Sequence, residues 1–296
     1  MTAVDNIASA DVVTTQDLHK LAMALERPLD AIGSHVIGNM LHTSTAGRDL
    51  PSIAFMVARF RQLGLGLRSI LSPDGAPTVR GARSGLPSFA LGSSLDFHEP
   101  VTVGEPVRTT VQVMSERDVV GRTGRMRLEK LKYELLRHES ESPAVTEIFT
   151  KGHRSGAVAA RQPPRNQNDS THWHAMGEPF TIDVVDCFLY CAAVWLPHRI
   201  HYDEPYARSE GHPGVLVPGP FQGSILAAAF AEIVGTDIFG WRLSYRHVGS
   251  MVAGQPSQLL TREVASPSRP TELHALLVGP DGAHQTTGVL TKLEPS

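Results

Sequence analysis

Two short stretches of this chain hold residues whose types and spacing could do chemistry. They are His198-Arg-Ile-His-Tyr-Asp203 and, a little further on, Gly219-Pro-Phe-Gln222. A histidine has an unperturbed pKa of about 6.5, so His201 suits the role of a base near neutral pH. His198 and Asp203 lie close enough in sequence to assist it. Gly219-Pro220 opens a strongly apolar run, 220–234, that reads as a helix. Backbone amides at such a start, backed by the helix dipole, attract negative charge on an oxygen. Pro220 has no amide, so the donors would be Gly219, Phe221 or Gln222. A buried structural histidine and a plain helix start are the bland alternatives for the two stretches.

Other chemistry-bearing residues carry less. Cys187 and Cys191 stand four apart in a helix-like segment, on one face but badly placed for an unstrained disulfide. They read as reduced, partly buried thiols. His172-Trp-His174 lacks a companion carboxylate and reads as exposed histidines, so no metal is expected. Arg117, Arg122, Arg125, Arg127, Lys130 and Lys132 surround a turn and read as a solvated hairpin. No phosphate-binding loop, dinucleotide fingerprint or GxSxG elbow occurs, which gives nucleotide-driven and serine-hydrolase chemistry no support.

The elements that must position the two stretches can be read from hydropathy. Residues 16–26 read as a helix ended by Pro28, and 51–65 as a second helix. From 92 to 154 the pattern is that of strands separated by glycine and proline turns. Residues 161–171 are polar and proline-bearing and almost without apolar side chains, the composition of a linker, and they divide the chain nearly in half. The second half reads as a short strand at 179–182, a helix at 184–194 and an irregular stretch at 195–217. The helix at 220–234 follows, then strands at 241–248, 258–264, 271–278 and 286–293. A nearly all-apolar helix followed by strands of antiparallel type predicts an α+β fold with that helix buried against a sheet. The expected domains are a mobile tail at 1–14, a first domain at 15–160, a linker at 161–173 and a second domain at 174–296.

The chain has 296 residues, 41% hydrophobic and 19% charged, with a formal net charge of −3. That is globular composition without the field that would favour nucleic acid or an anionic membrane. The N-terminus has neither the basic cluster nor the apolar core of a leader, and no apolar stretch approaches the roughly 20 residues that span a bilayer. A soluble, cytoplasmic protein is expected.

The pair of motifs resembles a subgroup of the MaoC-like hydratase/dehydratase family, the mesaconyl- and methylfumaryl-type CoA hydratases and mitochondrial-type 3-hydroxyacyl thioester dehydratases. An HRIHYD-like motif preceding a glycine-rich approach to a GP-L/F-Q helix start carries the resemblance. Asp74-Gly-Ala-Pro77, the strand 92–104 and the closing strands with Tyr245-Arg246 and Asp281-Gly282 support it, over roughly 71–293. The resemblance implies a double hot-dog fold, two antiparallel sheets each wrapped around a helix. It implies a hydro-lyase acting on an enoyl or 3-hydroxyacyl thioester carried by coenzyme A or an acyl carrier protein, with no cofactor. His201, with His198 and Asp203, would be catalytic; Gly219, Phe221, Gln222, Arg199 and Tyr202 would bind substrate. The resemblance admits a homodimer, although a double hot-dog chain can act alone as the equivalent of one. This sequence departs from the family at one position: five residues before the catalytic histidine stands Leu196, where the family has Asp or Asn. Leucine cannot hold a water, so a thioesterase or a non-catalytic acyl-binding subunit are the competing readings, with Tyr190 a further local candidate for the missing partner.

Overall fold

The structure is a computed structural model describing residues 9–42, 48–49, 51–55, 74–76, 88–121, 124–137, 140–154, 173–266 and 269–294. The linker expected at 161–171, and all but the first residues of the helix expected at 51–65, lie outside the described residues. Ser52–Ala54, at the start of the latter, form a short 3₁₀ turn.

The sheet explains the bisected sequence. In the first half, β1 (Ser9–Val12), β2 (Ser88–Phe97), β3 (Pro106–Gly121), β4 (Gly124–Arg137) and β5 (Pro143–Arg154) pair in the order β1-β3-β4-β5-β2. The second half contributes β6 (His174–Ala175), β7 (Phe180–Thr181), β8 (Trp241–His247), β9 (Pro256–Ser266), β10 (Arg269–Val278) and β11 (His284–Lys292). Its order is β8-β11-β10-β9-β6, with β7 also on β9. The sequences β2-β5-β4-β3 and β8-β11-β10-β9 are the same threading, used twice. The equivalent edges β2 and β8 pair antiparallel, from Gly92 opposite Arg246 to Phe97 opposite Trp241, so two half-sheets make one continuous sheet. Arg242 clasps Asp96 across this seam with two hydrogen bonds of 2.5 and 2.7 Å.

Residues 9–12, expected in a mobile tail, are instead edge strand β1 on β3. Helix α1 (Thr15–Ala31) starts at a capping box in which Thr14 and Asp17 satisfy each other's backbone. It buries Leu18, Leu21, Leu25 and Leu29 and continues past Pro28, where a stop was expected. Pro28 lies in the last turn, so its missing donor removes a single helix bond, and its carbonyl still accepts from Ile32. Burial of Leu29 and Ile32 offsets that loss. A short α2 (Val36–His42) follows.

Helix α3 (Val184–Val194) has its own capping box, Asp183 with Asp186, and Arg27 of α1 pairs with both carboxylates. The irregular stretch after it contains a 3₁₀ turn, Arg199–His201, and a short helix α4 (Glu204–Ser209). The apolar helix α5 (Gly219–Val234) is buried on every side from Gly219 to Phe230, as its lack of a polar face requires. A Cβ on Gly223 would meet the Tyr245 ring at 2.7 Å, so glycine is what lets α5 lie directly on β8. The class is α+β, as expected.

Candidate active site

The positioning of His198 and His201 begins where α3 stops. Trp195 takes a left-handed conformation (φ 57°) and ends the helix. Leu196 follows, then Pro197, whose carbonyl lies against Gly75 of the first half. A Cβ on Gly75 would come within 1.9 Å of that oxygen, and Gly75 has φ +83°, so both the contact and the conformation call for glycine. The chain then turns through 199–201, and Asp203 caps α4 by accepting from the Tyr206 amide. Leu216 returns alongside, its amide donating to the Ile200 carbonyl. Residues 216–217 pair with 251–252 and lead into α5.

This path fixes the proton on His201. Its Nδ1 lies 2.8 Å from the Leu216 carbonyl oxygen. A carbonyl only accepts, so Nδ1 carries the hydrogen and Nε2 of the neutral ring is a lone pair. Burial, aided by charge on His198, pushes the His201 pKa down to about 3. The ring is therefore a neutral acceptor at ordinary pH. His198 is arranged differently. Its Nε2 donates to Asp74 Oδ2 at 3.1 Å, and its ring meets that of His201 nearly edge to face at 5.4 Å. Asp74 thus holds the His198 ring from across the two halves.

Both histidines line a cavity of about 970 Å³, together with Leu196, Gly219 and Gln222. Its other wall comes from the first half, including Ser88, Ala90, Tyr133 and Lys151. The volume is at the upper end for a small-molecule site. The Gln222 amide is spent on the Pro218 carbonyl, and its side-chain nitrogen on Val217 O. Gly219 and Phe221 precede the first intrahelical bond, so the helix offers their amides no carbonyl.

Three of the expected site residues lie away from the cavity. Asp203 pairs with Arg199 at 2.7 Å and caps α4. Arg199 and Tyr202 are exposed, the tyrosine hydroxyl donating to Pro197 O, and none of these three lines the cavity. The Phe221 ring stacks on Tyr190 in the core, with 4.5 Å between centroids, while its backbone amide, the group expected at the site, stays in the first turn of α5. The short motif places these residues together in sequence, but the turn brings His198, Ile200 and His201 to the cavity and carries Arg199, Tyr202 and Asp203 away from it. Tyr190 is likewise a core residue, its hydroxyl 3.1 Å from Ser224 Oγ.

Two cavity groups, Lys151 and His247, and the partner of a third, Asp74, escaped the reading of the sequence. Asp74 sat in a segment noted only for likeness. Lys151 lies in a strand whose alternation gives no sign that its inward face is polar. Burial lowers its pKa, against the opposing charges of Glu129 and Asp74. His247 ends β8, and nothing in its spacing marks it. Both cysteines are buried, with Cys187 pushed up to about 12 by desolvation, which makes them inert thiols. Among the described residues no cluster of His, Cys, Asp and Glu could hold a metal, and no helix is long and apolar enough to cross a membrane.

With this geometry in hand, comparison with known proteins is informative. The profile of the hydroxyacyl-thioester dehydratase type 2 family matches residues 71–253, well over half the chain. A mesaconyl-C(4)-CoA hydratase from Chloroflexus aurantiacus is 28% identical over 221 residues, covering 73% of this chain and 75% of that protein. Among solved structures, a MaoC-like dehydratase from Phytophthora capsici superimposes with a TM-score of 0.66 at 15% identity, over 98% of this chain and 96% of the other. A Mycobacterium tuberculosis protein described as a double hotdog fold gives 0.59 at 13% identity, over 96% and 93%. The doubled strand order and these likenesses agree on the architecture: the chain is a double hot-dog protein and belongs to the hydroxyacyl-thioester dehydratase type 2 family.

Proposed function

We propose that this chain interconverts an enoyl thioester and a 3-hydroxyacyl thioester, the acyl group being carried by coenzyme A or an acyl carrier protein. The observation that carries the reading is His201. Its Nδ1 hydrogen is committed to Leu216, which leaves an unprotonated Nε2 in a cavity that also contains the start of α5.

In the hydration direction, water oxygen bonds to C3 while its proton passes to His201 Nε2. The C2–C3 π electrons move onto the thioester oxygen as an enolate. The amides of Gly219 and Phe221, at the positive end of α5, suit that oxygen. The imidazolium then returns its proton to C2 and the thioester re-forms, so one water is added and nothing is oxidised or reduced. The low pKa keeps the ring unprotonated beforehand. The enolate's negative charge raises it during the step, which eases proton uptake. His198, anchored on Asp74, positions the His201 ring.

The test uses crotonyl- and mesaconyl-type CoA thioesters, following enoyl absorbance and free thiol together. Loss of enoyl absorbance without thiol release is the expected result. Thiol release would make the chain a thioesterase. Inertness toward every thioester that binds would make it an acyl-binding subunit, the reading that Leu196 favours.

A further inference from the structure

His247 presents a second imidazole to the same cavity, and its protonation is also set by its neighbours. Gln222 Nε2 donates to Val217 O at 3.0 Å, which turns the amide oxygen toward Thr286. That oxygen only accepts, so the Thr286 hydroxyl, 2.5 Å away, donates to it. A hydroxyl has one hydrogen, so toward His247 Nδ1, at 2.8 Å, Thr286 accepts. His247 therefore carries its proton on Nδ1 and a lone pair on Nε2, the same tautomer as His201. Nε2 is wholly buried and has no hydrogen-bond partner. It also lies against the start of α5, since a Cβ on Gly219 would approach it to 2.6 Å. Desolvation lowers the pKa of the ring to about 4, so it is an acceptor at neutral pH. An orphaned buried acceptor is destabilising unless a ligand satisfies it.

The ligand group that satisfies it must donate. The enoyl thioester unit has no O–H or N–H at its reacting carbons; the attacking water and the 3-hydroxyl do. Water has two hydrogens, and His201 takes only one. Leu196 offers nothing to the other.

Resting on the hydratase reading above, we infer that His247 is a second catalytic residue, whose Nε2 accepts a hydrogen bond from the attacking water or the departing 3-hydroxyl. Thr286 and Gln222 are then positioning residues that hold its tautomer. The role left unfilled at position 196 is supplied from β8 and the base of α5.

Kinetics and nitrogen NMR test this on the full-length chain. His247→Ala should lower kcat by about a hundredfold, the low end for a proton-handling group, with KM within about twofold of the parent. Thr286→Val, which keeps shape and removes the relay, should reproduce most of that loss, and Thr286→Ser should recover it. In the imidazole ¹⁵N spectrum, Nε2 of His247 should be unprotonated. It should shift on adding 3-hydroxybutyryl-CoA and stay put with butyryl-CoA. A rise in KM alone, shared by all CoA thioesters, would assign His247 to the pantetheine amides and overturn the inference. So would unchanged turnover in His247→Ala, or an Nε2–H tautomer in the free protein. A parent protein inert toward enoyl thioesters would instead defeat the hydratase reading. The contrast between the two acyl-CoA spectra would then still decide whether His247 meets a hydroxyl.

Discussion

The two halves thread their strands identically, yet their inner faces differ in kind. Where the seam residues Leu95 and Leu243 face each other, the row continues into the second half through Leu290 and Leu273. Into the first half it continues through Glu147 and Tyr133. The second half's inner face is buried and apolar, including Leu259, Ala275 and Leu277, and it packs on α5. The first half's carries buried Glu129, Glu147, Lys151 and His153. Buried charge is tolerated only with partners, and these have them: His153 Nε2 is 3.2 Å from Glu129, and Ser93 donates to Glu147. The inner face of one copy has become a core; that of the other is core at Phe97, Leu135 and Val145 and a polar wall at Glu129, Glu147, Lys151 and His153. The histidines belong to the apolar half, and the carboxylate that anchors His198 belongs to the polar one.

If the second half carries the chemistry, His201→Ala should cost the most, about 10²–10⁴-fold in turnover. Circular dichroism and the unfolding midpoint should be close to the parent's. Unchanged turnover on every responsive thioester would remove His201 from the site.

The contact between halves is most exposed at Gly75. Gly75→Ala forces a left-handed alanine and a collision with the Pro197 carbonyl. A destabilisation of at least about 1–3 kcal/mol is expected from the conformation alone, read from chemical denaturation, with reduced turnover because Asp74 and His198 shift apart. A variant as stable and active as the parent would mean that the halves meet more loosely than this geometry implies.

Acid should act through the buried histidines of the apolar half. His201 and His247 have folded pKa values pushed down to about 3 and 4, against about 6.5 unfolded. Between those values the unfolded chain binds more protons, so stability falls as pH drops below about 6.5. Each histidine contributes up to about 1.4 kcal/mol per pH unit. Denaturation curves across that range should flatten in His247→Ala. An equally steep dependence in the variant would contradict the burial of that ring.

The smallest effect should come from the polar wall. Lys151→Met removes a desolvated ammonium and keeps its length, so stability should hold or rise. KM for thioesters should increase a few-fold if that wall meets substrate, and steady-state kinetics would read it. An unchanged KM would confine Lys151 to a structural role.

Much of this protein was legible in its residues alone. Apolar periodicity located α3, α5 and the closing strands, because burial demands that pattern wherever one face or all faces of an element leave water. The pair HRIHYD and GPFQ pointed to His201, which lines the cavity, and to the start of α5, since an imidazole and a helix terminus are local features. The tautomers of His201 and His247 were not legible, because each depends on an acceptor distant in sequence, Leu216 and Thr286. Nor were the anchoring of His198 on Asp74, the continuation of α1 through Pro28, or the displacement of Asp203, Arg199 and Tyr202 onto the surface. Each is settled by what the chain packs against, and that is a property of the fold: His198 and Asp74, 124 positions apart, become hydrogen-bond partners only once the two half-sheets have joined at β2 and β8.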